Sequence, residues 1–267
     1  MTFSIVAHDP QRAEWGIAVA SRFLAVGAVV PFARAGVGAV ATQSFANTTY
    51  GPAGLELMAQ GYSAQEALDG LIAADSGRES RQAGFVDTRG GSATYSGPGC
   101  YQWAGGRTGP NYAAQGNILA GAAVVDRMAE SFESSSGSLA DRLVEALAAG
   151  QDAGGDSRGQ ESAALLVVRA GGGYGGFNDR SVDLRVDDHP TPIVELRRIL
   201  QLHTLYFTET RPEDIIPVDG AMARRLQRIL RASGAEVVET GQYDSATREA
   251  LRTLCWKENL EDRWREG

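Results

Sequence analysis

Apolar positions at the start of the chain come as short, dense runs. Residues 3–8 and 15–20 are two such runs, separated by Asp9-Pro10-Gln11-Arg12-Ala13-Glu14. Runs of this length between turn-forming residues predict buried strands, and the pair predicts an opening β-hairpin. Residues 26–30 and 36–43 continue the strand pattern, the second with many Ala and Gly that let another layer approach closely. The period then changes. Residues 52–60 and 63–74 predict two helices. Ser63 stands before the second, with Glu66 three positions on, which is the pattern of a capping box. Strand character returns at 82–87 and 92–95 around a turn at 88–91, and again at 112–120. A second pair of helices is predicted at 122–132 and 139–149, with Ser138 capping the latter ahead of Asp141. Apolar strands at 163–169 and 181–186 follow, then a helix at 193–207.

The order is strands, helix pair, strands, helix pair, strands, helix. Helices are not interleaved one for one with strands, which disfavours a doubly wound parallel sheet or a βα barrel. The order favours an α+β fold: antiparallel sheets with helical layers outside, stacked as a four-layer αββα sandwich. Strands that are apolar on both faces fit sheets covered on both sides. Residues 208–217 change composition and predict a linker, so the expected domains are 1–207 and 218–267. The tail predicts two helices, 221–232 and 245–255, with Leu226, Ile229, Leu230, Leu251, Leu254 and Trp256 as a small core. About fifty residues is marginal for independent stability.

Charge narrows the partners. The net charge is −8, and it lies entirely before residue 218, because 218–267 carry nine basic and nine acidic residues. An acidic chain argues against nucleic acid and anionic membranes. No run approaches the ~20 apolar residues of a membrane span, and the N-terminus lacks the basic-then-apolar pattern of a secretory signal. Cys100 and Cys255 form no paired motif, so two free thiols in a reducing cytoplasm are expected. His8, His189 and His203 share no metal-ligand spacing, so no metal is expected.

The candidate chemistry begins at the second residue. A Met followed by a small residue is normally trimmed, and Thr2 would then carry a hydroxyl and a free α-amine on one Cα. Threonine with its own amine as base is a complete nucleophile unit. The amine's unperturbed pKa of about 7.7–8.0 leaves a useful neutral fraction near pH 7. Such a nucleophile needs groups to hold the amine, stabilise an oxyanion and place a substrate. Gly154-Gly155-Asp156-Ser157-Arg158-Gly159-Gln160-Glu161-Ser162, between a predicted helix and a buried strand, offers Asp156, Arg158 and Ser162; the plain alternative is a loop whose Asp156 and Arg158 pair with each other. Arg22, at a strand end, is either an anion-orienting group or a solvated charge. Gln43 opens a polar run through Tyr50 that either carries a site or caps a helix through Asn47 or Thr49. Asn117 and Gln115 interrupt an apolar strand, either because they face a pocket or because Gly116 forms a bulge. Ser4 and Cys100 are the remaining nucleophile candidates. His8-Asp9 reads as a turn element, and 171–176 as a hairpin tip.

Several of these segments fall in the order of one known family. Met1 to Ala7, Trp15 to Gly27, Gly38 to Gln43, Gln115 to Gly121 and Gly154 to Leu166 resemble the domain of unknown function 1028, over roughly residues 1–207. That resemblance implies an N-terminal-nucleophile (Ntn) hydrolase fold, in keeping with the αββα order. By analogy with proteasome-like enzymes, it implies that Asp156 and Ser162 support Thr2. The tail, through Val218-Asp219-Gly220 and Tyr243 to Leu251, resembles a peptidoglycan-binding module that accompanies some members; here Gly241 and Gln242 precede Tyr243, a departure from the usual pattern. The expected activity is therefore hydrolysis of a small, peptide-like amide. Thr2, Asp156 and Ser162 would be catalytic, Arg22, Gln43, Asn117 and Arg158 would bind substrate or oxyanion, and no cofactor would be needed. The competing expectation is a binding protein that reuses the scaffold, its tail engaging glycan or a protein partner. Self-association stays open.

Overall fold

The computed structural model describes residues 2–210, 212 and 215–264. Contacts between Cα atoms divide the chain into two compact units, 1–201 and 202–267.

The first unit is built on two antiparallel sheets. β1 (Thr2–Asp9) and β2 (Glu14–Ser21) form the expected hairpin and occupy the centre of a six-stranded sheet. β8 (Tyr112–Asn117) and β7 (Gly105–Gly109) flank β1, and β9 (Ser162–Val168) and β10 (Arg180–Val186) flank β2, in the order β10-β9-β2-β1-β8-β7. The second sheet is a meander of β3 (Pro31–Arg34), β4 (Gly38–Ser44), β5 (Arg81–Asp87) and β6 (Ser92–Ser96). Helices α3 (Ala123–Ser134) and α4 (Leu139–Asp152) cover the first sheet, and α1 (Tyr50–Ala59) and α2 (Ala64–Ala74) cover the second. The result is the four-layer αββα sandwich that the element order predicts.

Alternation along each strand sorts side chains into three cores. Phe3, Ile5 and Ala7 of β1 face α3 and α4, where Met128, Leu143 and Leu147 meet them. The start of α5 (Pro192–Phe207) joins that core through Ile193, Leu196 and Leu200. Val6 of β1 points the other way, to the space between the sheets, with Trp15, Ile17, Val19, Ala39, Ala41 and Val86. Phe85, Leu55 and Leu68 fill the third core, beneath α1 and α2. Ser63 and Glu66 make the capping box, and Ser138 accepts from Asp141 N as its N-cap.

Layer spacing depends on glycine at one close approach. A Cβ on Gly54 of α1 would lie 2.4 Å from the Phe85 ring, which is fully buried. Ala is the better helix former by about 1 kcal/mol, yet overpacking here outweighs that gain. Gly54→Ala is expected to destabilise the protein by about 1–3 kcal/mol, read as a lower denaturation midpoint with an unchanged slope.

Three readings need correction, and one strand went unread. Residues 26–30 are not a strand: Val26–Ala28 form a single 3-10 turn, entered through Ala25 at φ +53°. Val26 and Val30 reach the inter-sheet core from that turn, which is why the segment is apolar. The edge strand β7 (Gly-Gly-Arg-Thr-Gly) carries no apolar residue and gave no signal. Gly116 is not a bulge, because β1 and β8 stay in register from Thr2↔Asn117 to Ala7↔Tyr112. Neither Asn47 nor Thr49 caps α1 by a side-chain bond; Asn47 instead accepts from Thr49 N and Oγ1.

The second unit contains α6 (Gly220–Ala232), capped by Asp219, and α7 (Ser245–Lys257), capped by Asp244. The inward stripe of α6 runs through Ala223, Gln227 and Leu230, at i, i+4 and i+7. Ile229 lies off that stripe and is exposed, and so is Trp256, so these two are not part of the small core. Buried Gln227 closes the unit instead. Its amide donates to Thr240 Oγ1, Gln242 O and Thr247 Oγ1 and accepts from Gly241 N.

Candidate functional site

The space between the sheets is apolar along most of its length and polar at one end. The register defines that end. In the large sheet Asn117 pairs with Thr2, Thr2 with Ser21, and Ser21 with Ser162, so these four form one row across β8, β1, β2 and β9. Paired residues share a face, and this row faces the smaller sheet, where Gln43 of β4 pairs with Gln82 of β5 and Gln82 with Ser96 of β6. Ser4 and Gln115 form the next inward pair. Thr2, Ser4, Ser21, Gln43, Gln82, Gln115, Asn117 and Ser162 are all buried.

Buried amides must be partnered, and here they partner each other. Gln82 is the hub. Its Nε2 faces the carbonyls of Gly116 (2.7 Å) and Gly105 (3.3 Å) and donates to Ser96 Oγ (2.7 Å). Two carbonyl neighbours fix the amide's orientation, so its Oε1 must accept. It accepts from Gln43 Nε2 at 2.8 Å and Asn117 Nδ2 at 2.9 Å. The same two amides reach the Thr2 carbonyl oxygen, Gln43 at 3.2 Å and Asn117 at 3.5 Å. Ser4 Oγ donates to Gln43 Oε1 at 2.6 Å and accepts from Gln115 Nε2 at 2.7 Å. Gln115 Oε1 has no hydrogen-bond partner among the described residues; it lies against Gly84, where a Cβ would come within 2.0 Å of it.

Thr2 is thus held by its backbone from one side and by its hydroxyl from another. Its Oγ1 lies 3.1 Å from Ser21 Oγ, and the residue is 7% exposed. Met1, whose removal the sequence reading expects, lies outside the described residues.

The Gly-Asp-Ser-Arg turn stands beside this row. Asp156 is buried and accepts from Arg22 N at 2.9 Å, immediately after Ser21, and from Arg158 N at 2.8 Å. Its carboxylate lies 3.5 Å from Arg158 Nη2, so the two residues also pair with each other. Arg158 Nη2 donates to Arg22 O, and Arg22 Nη1 donates to Gln160 O at 2.7 Å. Ser162 Oγ donates to the Phe23 carbonyl and accepts from Val26 N, so it pins the loop that leaves β2. All seven residues singled out in the sequence meet at this end of the sandwich. Ser21 and Gln82 went unnoticed there. The signal for Gln82 was a long amide at an inward position of an apolar strand, the same signal that drew attention to Asn117.

Across the gap, Asp75 organises the loop that leaves β4. It accepts from Arg81 Nε (2.9 Å), Asn47 Nδ2 (3.1 Å), Tyr50 OH (2.9 Å) and Gly77 N (2.7 Å). The Arg81 guanidinium, then Asn47 and the Gly77 N–H, hold its carboxyl well below the usual carboxylate range. A depressed folded-state pKa contributes stability above the unfolded value of about 3.9, and that stability is lost as pH falls below it. The gap in thermal midpoint between wild type and Asp75→Asn is therefore expected to be constant above pH 5 and to narrow below pH 4. A gap independent of pH would remove Asp75 as the anchor.

Among the described residues no group of three or more His, Cys, Asp or Glu side chains could hold a metal ion, and no helix is long and apolar enough to cross a membrane. Cys100 is buried, with its thiol directed at Arg81 O. Two open surface depressions, about 450 Å3 around Asp9, Arg12 and Arg142 and about 740 Å3 between α3 and α4, do not include Thr2.

A family model described as a family of unknown function, DUF1028, matches residues 2–196. The crystal structure of a Silicibacter pomeroyi protein carrying the same family model superposes with a TM-score of 0.70 at 33% sequence identity, covering 76% of this chain and 86% of that one. No curated protein matches.

Proposed function

Because the chain belongs to the DUF1028 family, whose function is unknown, its chemistry has to be read from the site, and we propose that it is an N-terminal-nucleophile hydrolase of a small amide. One observation carries this reading. Thr2 is the first residue of a central strand, and its hydroxyl and carbonyl are both fixed at the polar end of the inter-sheet space. A structural threonine at a strand end would not need three side chains aimed at it.

Once Met1 is cleaved, the neutral α-amine takes the Oγ proton as Oγ adds to the substrate carbonyl. The intermediate collapses with cleavage of the C–N bond, and the ammonium returns its proton to the departing nitrogen. Water, deprotonated by the same amine, then opens the ester and releases the acid. The nucleophile brings its own base, so the sequence of steps needs no metal or organic cofactor. Both N–H groups of Gln43 and of Asn117 are committed to Thr2 O and Gln82, which makes these two positioning residues instead of oxyanion donors. Ser21 orients the hydroxyl. Asp156, Arg158 and Ser162 fix the loop behind it, and Arg22, the residue after Ser21, is tied to the same turn through Gln160 O. We place the activity in the cytoplasm, in keeping with the two free thiols. The second unit, on this reading, is a docking module for a glycan or protein partner that takes no part in the chemistry.

The test is intact mass measured on a preparation that hydrolyses amides. The expected mass lacks Met1. A fully active preparation that retains it would end the proposal, because a blocked amine cannot serve as base.

A further inference from the structure

We propose that the site takes a neutral amide whose acyl group ends in an aromatic or bulky apolar moiety. The inference rests on the nucleophile reading only for where the scissile carbonyl lies; the recognition surface stands on its own observations.

Three loops meet the strand ends at the level of Thr2, and each carries exposed apolar side chains. After Ser21 come Phe23 and Leu24, 52% and 60% exposed. After Ser44 comes Phe45, 55% exposed, held by Arg81 Nη1 on its carbonyl. The loop before β7 brings Tyr101, 60% exposed, whose carbonyl accepts from Ile118 N just past Asn117. The Phe45 and Tyr101 rings sit 6.2 Å apart and tilted at 57°, so the two exposed rings pack against each other. The loop of Phe23 and Leu24 is tied down by Ser162, whose Oγ donates to the Phe23 carbonyl.

Among the described residues of the first unit eight large apolar side chains are exposed, and four of them stand on this rim. Scattered exposed apolar residues need no explanation, whereas a cluster around a polar centre marks a recognition surface.

Charge decides the substrate class. The ionic groups on these loops neutralise one another: Arg158 lies 3.5 Å from Asp156, and Arg22 3.8 Å from Glu161. The two guanidinium groups also donate to the carbonyls of Arg22 and Gln160. A carboxylate-bearing substrate would have to compete with these partners. A neutral apolar group meets no such competition and covers the exposed rings.

The experiment compares three amides that share one scaffold: propanamide, 3-phenylpropanamide and succinamate. Each is titrated by calorimetry into the full chain as wild type, Phe45→Ser/Tyr101→Ser, Phe23→Ser and Thr2→Ala. The mutated rim side chains are exposed, and thermal melts verify folding of each variant. The phenyl amide is expected to bind at least tenfold tighter than propanamide, and succinamate no tighter than propanamide. The double variant should lose that tenfold advantage, Phe23→Ser should cost threefold or more, and Thr2→Ala should keep it within twofold. Equal affinity for all three amides, preference for succinamate, or an advantage that survives the double variant would overturn the assignment. Hydrolysis lost in Thr2→Ala speaks to the nucleophile alone, so the two readings fail separately.

Discussion

Thr2→Ala is expected to bring amide hydrolysis down to the background rate while leaving the fold in place. The alanine variant keeps the small second residue that permits Met1 removal, so the α-amine and the strand register are preserved and only Oγ1 is lost. Removing the nucleophile of a covalent hydrolase costs on the order of 10^3-fold or more in turnover. The structural cost is one hydrogen bond to Ser21, about 1 kcal/mol, and the Thr2 carbonyl stays anchored by Gln43 and Asn117. Thr2→Ser retains the hydroxyl and should keep measurable turnover, with rate lost to the freer rotation of a side chain lacking the β-methyl. The measurement is kcat on the preferred amide, with intact mass confirming the same N-terminus in all three proteins. Undiminished turnover in Thr2→Ala would move the chemistry elsewhere. If neither wild type nor Thr2→Ser turns over any amide in the panel while the phenyl amide still binds, the scaffold is a binding protein.

How much of this was legible in the sequence depends on what each residue had to signal. Strands and helices announced themselves wherever burial imposes a period: Ile5 and Val6 face different cores from adjacent positions, and Leu68 marks the buried side of α2. β7 could not be read, because an edge strand of Gly, Arg and Thr has no apolar face to display. The site residues were legible as polar interruptions in apolar strands, but their roles were not. Ser162 and Asp156 sit within seven residues of each other, yet one closes the loop of Phe23 and the other holds Arg22 N. Ser162 is placed by the register of β2 against β9 and Asp156 by its bridge to Leu119, long-range pairings that no local pattern encodes. Gln82 is the clearest case. Its partners come from β4, β6, β7 and β8, so its role exists only once both sheets have assembled.

Gln82→Leu is expected to be the most destabilising single change at this end of the molecule. Leucine matches the volume closely, so packing loss is small and the effect isolates the hydrogen bonds. The Gln43 and Asn117 amides and the Gly116 carbonyl would each lose a partner at a fully buried position. An orphaned buried polar group costs about 1–3 kcal/mol, so three of them cost roughly 3–9 kcal/mol, against a typical domain stability of about 5–15 kcal/mol. Denaturant unfolding should show this as a large drop in midpoint; a change under about 1 kcal/mol, within the range of an ordinary surface substitution, would mean the network is dispensable. Gln82→Glu separates donor from acceptor. A carboxylate keeps the acceptor for Gln43 and Asn117 but faces the Gly116 and Gly105 carbonyls with no proton to give. Burial and those carbonyls favour the protonated acid, raising its folded-state pKa above the unfolded value of about 4.3. Its destabilisation is then fully present above the raised pKa and is relieved as pH falls toward that unfolded value, opposite in sign to the behaviour expected of Asp75. Gln82→Leu, which removes that acceptor, loosens the two amides that fix Thr2 O. The hydrolytic rate should therefore fall through kcat, with KM little changed, because what is lost is the aim of the hydroxyl and not the rim that holds the substrate.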